Sequence, residues 1–262
     1  MTTQERFDAH VQEALSLKGN KVMAVALQGS QNYGLAYEGS DVDTKALLVP
    51  SFNDLAFNAS PVSTTHVRQN DEHIDLKDVR LMLQTFRKQN INFVEILFTD
   101  YMWVNPDYEK DYHLLLTNRE FIARYNPYRA VKCMKGMALE KYHAMKHPYP
   151  SKADVLAEMG YDPKQLHHIL RLREFMNRYI AEEPYAECLK SKEADYLIAV
   201  KKGYYALDKA EEVAASALRQ ITQVADIYCN QVPNEGNKTV ELLLDTVQYN
   251  IMKTAIKKEF EK

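Results

Sequence analysis

The chain has 262 residues, of which 46% are apolar and 26% charged, a composition typical of a globular protein with a buried core. No apolar run approaches the roughly 20 residues that a membrane helix needs, and the first residues lack the apolar core of a signal peptide. The three cysteines are odd in number and far apart, which argues against a disulfide framework or a zinc site. We therefore expect a cytoplasmic protein with reduced thiols and no membrane contact.

The net charge of −3 is unevenly distributed along the sequence. Residues 119–178 contain twelve Lys and Arg against six Asp and Glu, whereas the rest of the chain contains 21 against 30. A positive middle segment fits a phosphate-rich partner such as nucleic acid. It fits a solvated helical surface equally well, so charge alone leaves both interpretations open.

In chain order, apolar spacing predicts a helix at residues 5–17, a strand at 22–27 and a second strand at 44–49 that Pro50 ends. Strands are then predicted at 64–68 and 73–76, a helix at 77–88, and either a strand or a helical turn at 93–98. Beyond Asn126 the chain is predicted to be almost wholly helical, with helices at 128–145, 163–180, 192–206, 208–230 and 239–258. We expect an α+β fold with a mixed sheet backed by helices and a helical C-terminal region, divided into domains 1–110 and 111–262.

The stretch between the first two predicted strands contains residues suited to binding an anion and a metal ion. Gly29 permits close backbone approach to a ligand, and Ser30 is predicted to open a short helix as its N-cap, where backbone N–H groups favour anions. Asp41 and Asp43 are two residues apart on a predicted strand, so their carboxylates should project from one face. Because like charges repel there, a cation is expected between them, and Mg²⁺ prefers such oxygen ligands together with substrate phosphates.

This pattern resembles the signature of the DNA polymerase beta-type nucleotidyltransferase superfamily: Gly29-Ser30, a spacer, then Asp41-x-Asp43. That family needs a third carboxylate on a later strand between apolar neighbours, and Asp75, within His-Ile-Asp-Leu, matches it. Residues 92–98 and 160–172 are similar to segments of a predicted bacterial and phage nucleotidyltransferase family. The resemblance covers residues 21–180, and it leaves the substrate unspecified.

The resemblance implies a Mg²⁺-dependent transferase, with Mn²⁺ as an alternative ion, that moves a nucleoside monophosphate from a nucleoside triphosphate to an acceptor hydroxyl and releases pyrophosphate. RNA, a protein or a small molecule would supply that hydroxyl. Asp41 and Asp43 would hold two metal ions, Asp75 would share one and take the hydroxyl proton, and Ser30 would grip the terminal phosphates. The remaining nucleotide-binding candidates are Gly29, Tyr33, His167 and Arg171.

Structural interpretations compete with these roles. The two aspartates also suit a turn, and Asp71, Glu72 and Asp78 either compete with Asp75 as the third carboxylate or are surface charges. Glu95 lies in an apolar run, where it would satisfy a backbone amide or pair with a basic residue. The polar residues of the helix predicted at 163–180 form one stripe, which most often means a solvated face. A non-catalytic nucleotide- or RNA-binding module on the same fold is the alternative function.

Overall fold

The structure, a computed structural model, describes residues 1–261 apart from the side chain of Ser151. Its centre is a mixed sheet with the strand order β3-β4-β2-β1-β5. β2 pairs antiparallel with β1 and parallel with β4, and the other neighbours are antiparallel. The strands are β1 Val22–Gln28, β2 Asp43–Leu48, β3 Ser63–Val67, β4 His73–Asp78 and β5 Met102–Val104. The first four match the predicted strands, whereas β5 was not predicted.

One face of the sheet packs against the first helix, α1 (Thr3–Lys18). Phe7, Val11 and Ala14 lie at helical spacing and are almost fully buried against alternate residues of the strands, such as Ala46 and Ile74. A capping box between Thr2 and Glu5 fixes where α1 begins. Burial of this apolar face is the main stabilising contribution to this part of the fold.

One short helix and a 3₁₀ turn that follow β2 in sequence contact the strands. α2 is Phe52–Ala56, α3 is Val79–Arg87, α4 is Ile91–Val94, and a 3₁₀ turn follows at Glu95–Leu97. α3 contacts β2 and β4, and the 3₁₀ turn contacts β1. Residues 93–98, for which the sequence left strand and helical turn open, are therefore helical.

The chain divides into two compact units. The first comprises residues 1–32, 38–126 and 236–262, and it contains the sheet, α5 (Glu109–Thr117), α6 (Arg119–Ala123) and α13 (Lys238–Phe260). α13 contacts α3 and α5 through a buried stripe that includes Val240, Leu244 and Val247. The last helix therefore belongs with the sheet, although about 110 residues separate it from the rest of that unit.

The second unit comprises residues 33–37 and 127–235 and is helical. α9 contacts α7, α10, α11 and α12. The helices are α7 Pro127–Ala144, α8 Ala153–Met159, α9 Pro163–Ile180, α10 Tyr185–Leu189, α11 Ala194–Lys201 and α12 Leu207–Gln231. The continuous helical region predicted over 192–230 is interrupted between α11 and α12, where Gly203 adopts φ +91°.

The predicted fold class is confirmed: a mixed sheet with helices and a helical C-terminal region. The boundary predicted between residues 110 and 111 falls inside α5, and the functional division into two domains stays a prediction. Within residues 1–261, every helix is too short or too polar to cross a bilayer. Cys133, Cys188 and Cys229 are free thiols.

Candidate functional site

Asp43 is the first residue of β2, but Asp41 lies ahead of the strand and is exposed. Pairing with β1 begins at Asp43, opposite Gln28. Between the two aspartates, Val42 is buried in the sheet core and its N–H donates to the Glu72 carboxylate at 3.1 Å instead of joining a strand ladder. The expectation that both aspartates lie on the strand is therefore wrong for Asp41.

Asp43 and Asp75 project from the same face of neighbouring parallel strands. Asp75 on β4 pairs with Lys45 on β2, and Lys45 is two residues beyond Asp43. Paired residues and residues two apart share a face of a sheet. The opposite face carries Ala46 and Ile74, which pack against α1, so the two carboxylates lie on the face away from that helix.

The Asp75 carboxylate is surrounded by donors. Oδ1 accepts from the Thr65 hydroxyl at 2.6 Å, and Oδ2 accepts from Gln28 Nε2 at 3.2 Å and from Lys45 Nζ at 3.4 Å. Burial alone would raise the pKa of Asp75, but the Thr65 hydrogen bond, the Lys45 charge and the Gln28 hydrogen bond together hold it below its ordinary value. Asp75 is therefore ionised at neutral pH.

Lys45 contacts the candidate site, and the sequence analysis missed it. Its side chain is 4% exposed, its ammonium contacts both Gln28 and Asp75, and it lies 4.7 Å from the centre of the Phe93 ring. Burial lowers its pKa, and the nearby carboxylates of Glu95 and Asp75 act in the opposite direction. A lysine inside a predicted buried strand, two residues after Asp43, was the available signal.

Asp43 is more open than Asp75, with a side chain 34% exposed. Its Oδ1 accepts from the backbone N–H of His73 at 2.9 Å and lies 3.4 Å from the His73 imidazole. This contact joins the start of β2 to the start of β4. It fixes one carboxylate oxygen of Asp43 and leaves the side chain partly accessible from solvent.

The Gly29-Ser30 stretch forms a turn and not the predicted helix. Gly29 adopts φ +89°, a conformation that glycine tolerates readily, and its carbonyl accepts from the Asn32 N–H at 3.0 Å. The Gly29 N–H and the Asn32 side-chain amide both donate to the buried Glu95 carboxylate, at 3.1 and 3.2 Å. Glu95 thus satisfies a backbone amide, one of its two anticipated roles, and the half-buried Ser30 does not cap a helix.

The turn and both carboxylates lie at one edge of the sheet. β1 ends at Gln28 and runs antiparallel to β2, which begins at Asp43. β4 runs parallel to β2, so its N-terminal half, with Asp75, lies at that same end. Ser30 is two residues beyond the end of β1, and that end of the sheet also carries Asp43 and Asp75.

Three further candidates, Tyr33, His167 and Arg171, belong to the helical unit. The Arg171 guanidinium lies 3.9 Å from the centre of the Tyr33 ring. The His167 Nδ1 lies 2.9 Å from the Leu197 carbonyl oxygen and donates to it. Both α9 side chains are about 95% buried, so the polar stripe on this helix is not the solvated face that its sequence suggested.

No three His, Cys, Asp or Glu side chains in residues 1–261 are gathered so that they could hold a metal ion by themselves. Asp41, Asp43 and Asp75 therefore do not form a three-ligand cluster. Mg²⁺ is usually held by one or two carboxylates, substrate phosphates and water. Asp43 and Asp75 supply two carboxylates on one face of neighbouring strands, which is enough for a magnesium ion held in this way.

No protein-family model matches this chain, and no curated protein matches it.

Proposed function

We propose that the chain is a Mg²⁺-dependent nucleotidyltransferase of the cytoplasm that transfers a nucleoside monophosphate from a nucleoside triphosphate to an acceptor hydroxyl. The observation that carries this proposal is the placement of Asp43 and Asp75 on one face of neighbouring parallel strands. The Gly29-Ser30 turn at the same sheet edge adds a backbone that can approach a phosphate closely. The acceptor class, whether RNA, protein or small molecule, is left open.

In this reaction the acceptor oxygen forms a bond to the α-phosphorus, and the bond from that phosphorus to the bridging oxygen breaks. Pyrophosphate leaves with the bonding electrons, and the hydroxyl proton passes to solvent, or to Asp75 once its Lys45 contact is lost. Asp43 and Asp75 would hold the Mg²⁺ ions, which supply charge stabilisation for the attacking and leaving oxygens when bound. Ser30 would donate its hydroxyl to the terminal phosphates.

The environment of Asp75 supports a metal ligand more strongly than a general base. Its pKa lies below the ordinary value, and a weakly basic carboxylate accepts a proton poorly. Lys45 and Gln28 hold the Oδ2 oxygen, and Thr65 holds the other. We therefore assign Asp75 chiefly to orienting and charge stabilisation, with proton acceptance dependent on loss of the Lys45 contact.

A non-catalytic nucleotide- or RNA-binding module is the second candidate. One observation favours it: both Asp75 oxygens already accept hydrogen bonds from the protein, and Lys45 supplies a resident positive charge. These contacts compensate the Asp75 charge without a metal ion, as a binding module that does not use Mg²⁺ would require.

The experiment is Mg²⁺-dependent pyrophosphate release from each nucleoside triphosphate, with RNA, protein and small-molecule acceptors offered separately. Asp43→Asn and Asp75→Ala are expected to lower turnover by about 10²-fold or more, since each removes a metal ligand. Asp71→Asn is the matched control, because Asp71 is exposed on the turn that precedes β4. Metal binding is followed in parallel by Mn²⁺ titration.

Nucleotide binding by the wild type without pyrophosphate release from any acceptor would support the binding module instead. Equal Mn²⁺ affinities for Asp43→Asn, Asp75→Ala and Asp71→Asn would remove the metal assignment altogether. Asp41→Asn is included in that titration because Asp41 lies outside the strand, and an unchanged affinity would restrict the site to Asp43 and Asp75.

A further inference from the structure

Arg171 is a buried cation with unused hydrogen-bond donors. The residue is 4% exposed, and its Nε and Nη1 atoms are enclosed without a hydrogen-bond acceptor among the described residues. Buried polar groups are nearly always paired, and leaving a donor unpaired costs about 1–3 kcal/mol, more when the group is charged. An arginine kept in this state needs an explanation beyond packing.

Arg178, two turns further along the same helix, shows what a structural arginine looks like in this unit. Its Nε donates to Glu183 at 2.9 Å, and its Nη1 donates to the Lys190 carbonyl at 2.7 Å. Glu174 adds a second carboxylate 3.4 Å away. Arg178 is thus fully engaged in holding neighbouring segments together, whereas Arg171 lacks such acceptors.

The charges around Arg171 are positive as well. After burial and the hydrogen bond that His167 donates to the Leu197 carbonyl, the groups that most affect the pKa of His167 are Arg171, Lys201 and Lys164, and all three lower it. The pKa of His168, next in sequence, is lowered by burial and then by Arg171, His167, Lys164 and Lys141. Both imidazoles are therefore neutral, and the local potential favours an anion.

Tyr33 covers the guanidinium face. Its ring lies over Arg171, and its carbonyl accepts from the Ser191 N–H at 3.0 Å. Residues 33–37 form only turn and coil, so movement of the Tyr33 side chain breaks no helix or strand. Displacing that ring would expose the face of the Arg171 guanidinium to a ligand, with the loss of a cation–π contact worth about 1–2 kcal/mol.

We propose that Arg171, assisted by Lys201 and Lys164, forms an oxyanion site for a phosphate group, with Tyr33 as its movable cover. Arginine suits this role because its planar fork donates two parallel hydrogen bonds to a phosphate. The phosphate would come from a nucleoside triphosphate or from a phosphorylated acceptor. The site uses no metal ion, so it stands whether or not the chain transfers nucleotides.

The test is calorimetric titration of the full chain, in buffer freed of divalent metals, with inorganic phosphate, tripolyphosphate, a nucleoside triphosphate and an unphosphorylated nucleoside. Binding of tripolyphosphate and the triphosphate, but not of the nucleoside, is expected. Preference for the triphosphate over tripolyphosphate would identify the nucleotide as the source. A 5′-phosphorylated oligonucleotide is titrated in the same way, and a preference for it over the triphosphate would identify a phosphorylated acceptor as the source.

Arg171→Gln is expected to weaken tripolyphosphate binding at least tenfold, the loss expected for a charge-assisted pair. Arg173→Gln is the matched control, because Arg173 lies on the same helix, is partly exposed and lies 3.7 Å from Glu193. Tyr33→Ala is expected to strengthen binding several-fold by removing the cover. Lys201→Gln and Lys164→Gln provide a second route to the answer if Arg171→Gln fails to fold.

No binding of any phosphate compound by the wild type would overturn the proposal. So would equal affinities for Arg171→Gln and Arg173→Gln, or unchanged affinity in both lysine variants. These titrations need no turnover and no Mg²⁺, so a negative result would not bear on the proposed roles of Asp43 and Asp75. Conversely, absence of pyrophosphate release would not bear on the proposed phosphate site at Arg171.

Discussion

The Glu72 carboxylate accepts a hydrogen bond from the backbone N–H of Val42 at 3.1 Å, between the two aspartates of the predicted signature. Glu72 is 1% exposed and also accepts from Arg6 Nε at 2.7 Å and Arg68 Nη1 at 2.9 Å, with His10 Nε2 3.0 Å away. Burial raises the pKa of Glu72, but hydrogen bonds from His10, Asn70, Arg6 and Val42 outweigh it and hold the value at about 2. The loop ahead of β2 is thus tied to a permanently charged buried carboxylate.

Glu72→Gln is expected to destabilise the protein by about 2–3 kcal/mol, because two arginines lose their charged acceptor in a partly buried place. Urea unfolding measures the loss. Asp71→Asn, one residue earlier and exposed, should stay within about 0.5 kcal/mol of wild type. An equal effect of the two substitutions would show that the buried network contributes nothing specific.

Glu95→Ala should loosen the turn at the end of β1. The substitution leaves the Gly29 N–H and the Asn32 amide without their carboxylate acceptor, which should cost about 1–3 kcal/mol. Hydrogen exchange at Gly29 is expected to accelerate, whereas Glu95→Gln retains one acceptor oxygen and should show a smaller change. Undiminished protection in Glu95→Ala would mean that the turn is held by other contacts.

Neutral buried histidines predict a fall in stability on mild acidification. The pKa of His167 is lowered to about 4 from 6.5, chiefly by burial, and burial also lowers those of His10 and His168. For His167 the unfolded chain takes up its proton at a higher pH than the folded chain, so its contribution to the free energy of unfolding is complete above pH 6.5 and is lost as the pH falls towards 4. For His167 it amounts to about 3 kcal/mol.

Urea unfolding at several pH values between 6.5 and 4 tests this. His167→Gln should flatten the pH dependence relative to wild type, and the exposed His143 supplies the control His143→Gln. A pH profile that His167→Gln leaves unchanged would contradict the prediction.

Truncation after residue 125 should fail to give a stable sheet unit. Such a fragment lacks α13, whose residues Val240, Leu244 and Ile251 are buried in that unit. Joining residues 1–126 to 236–262 restores α13, and the Asn237 N–H already donates to the Tyr125 carbonyl at 2.8 Å, so a short linker spans the cut. Cooperative thermal melting is expected only for the joined chain, and a cooperative fragment 1–125 would show that α13 is dispensable.

Local sequence patterns predicted the helices and strands but not the ion pairs and hydrogen bonds between residues distant in sequence. Short apolar runs located β1 and β2, the apolar neighbours of Asp75 located β4, and helical spacing located α3 and α9. Glu72 was taken for a surface charge since its partners Arg6 and His10 lie more than 60 residues away. Nothing near Glu72 in the sequence signals such a contact.

The same limit applies to the candidate site. Asp43 and Asp75 were predicted from residue type and neighbours, and the sheet places them on one face. Ser30 was expected to cap a helix because serine favours the N-cap position, yet the Gly29 N–H donates to the Glu95 carboxylate and the stretch forms a turn. Lys45 was overlooked because apolar periodicity gives no account of a buried charge whose partners come from other strands.

The position of α13 also constrains how the protein is made. Translation delivers residues 1–126 first and then the whole helical insertion before the last helix of the sheet unit emerges. Domains generally fold as units during synthesis, the N-terminal one first, at about 5–20 residues per second. Here some 110 further residues are synthesised before α13 can pack on the N-terminal sheet. The apolar surface that α13 covers therefore stays exposed on the nascent chain for about 5–20 seconds. We expect a ribosome-associated chaperone to bind that surface during this interval.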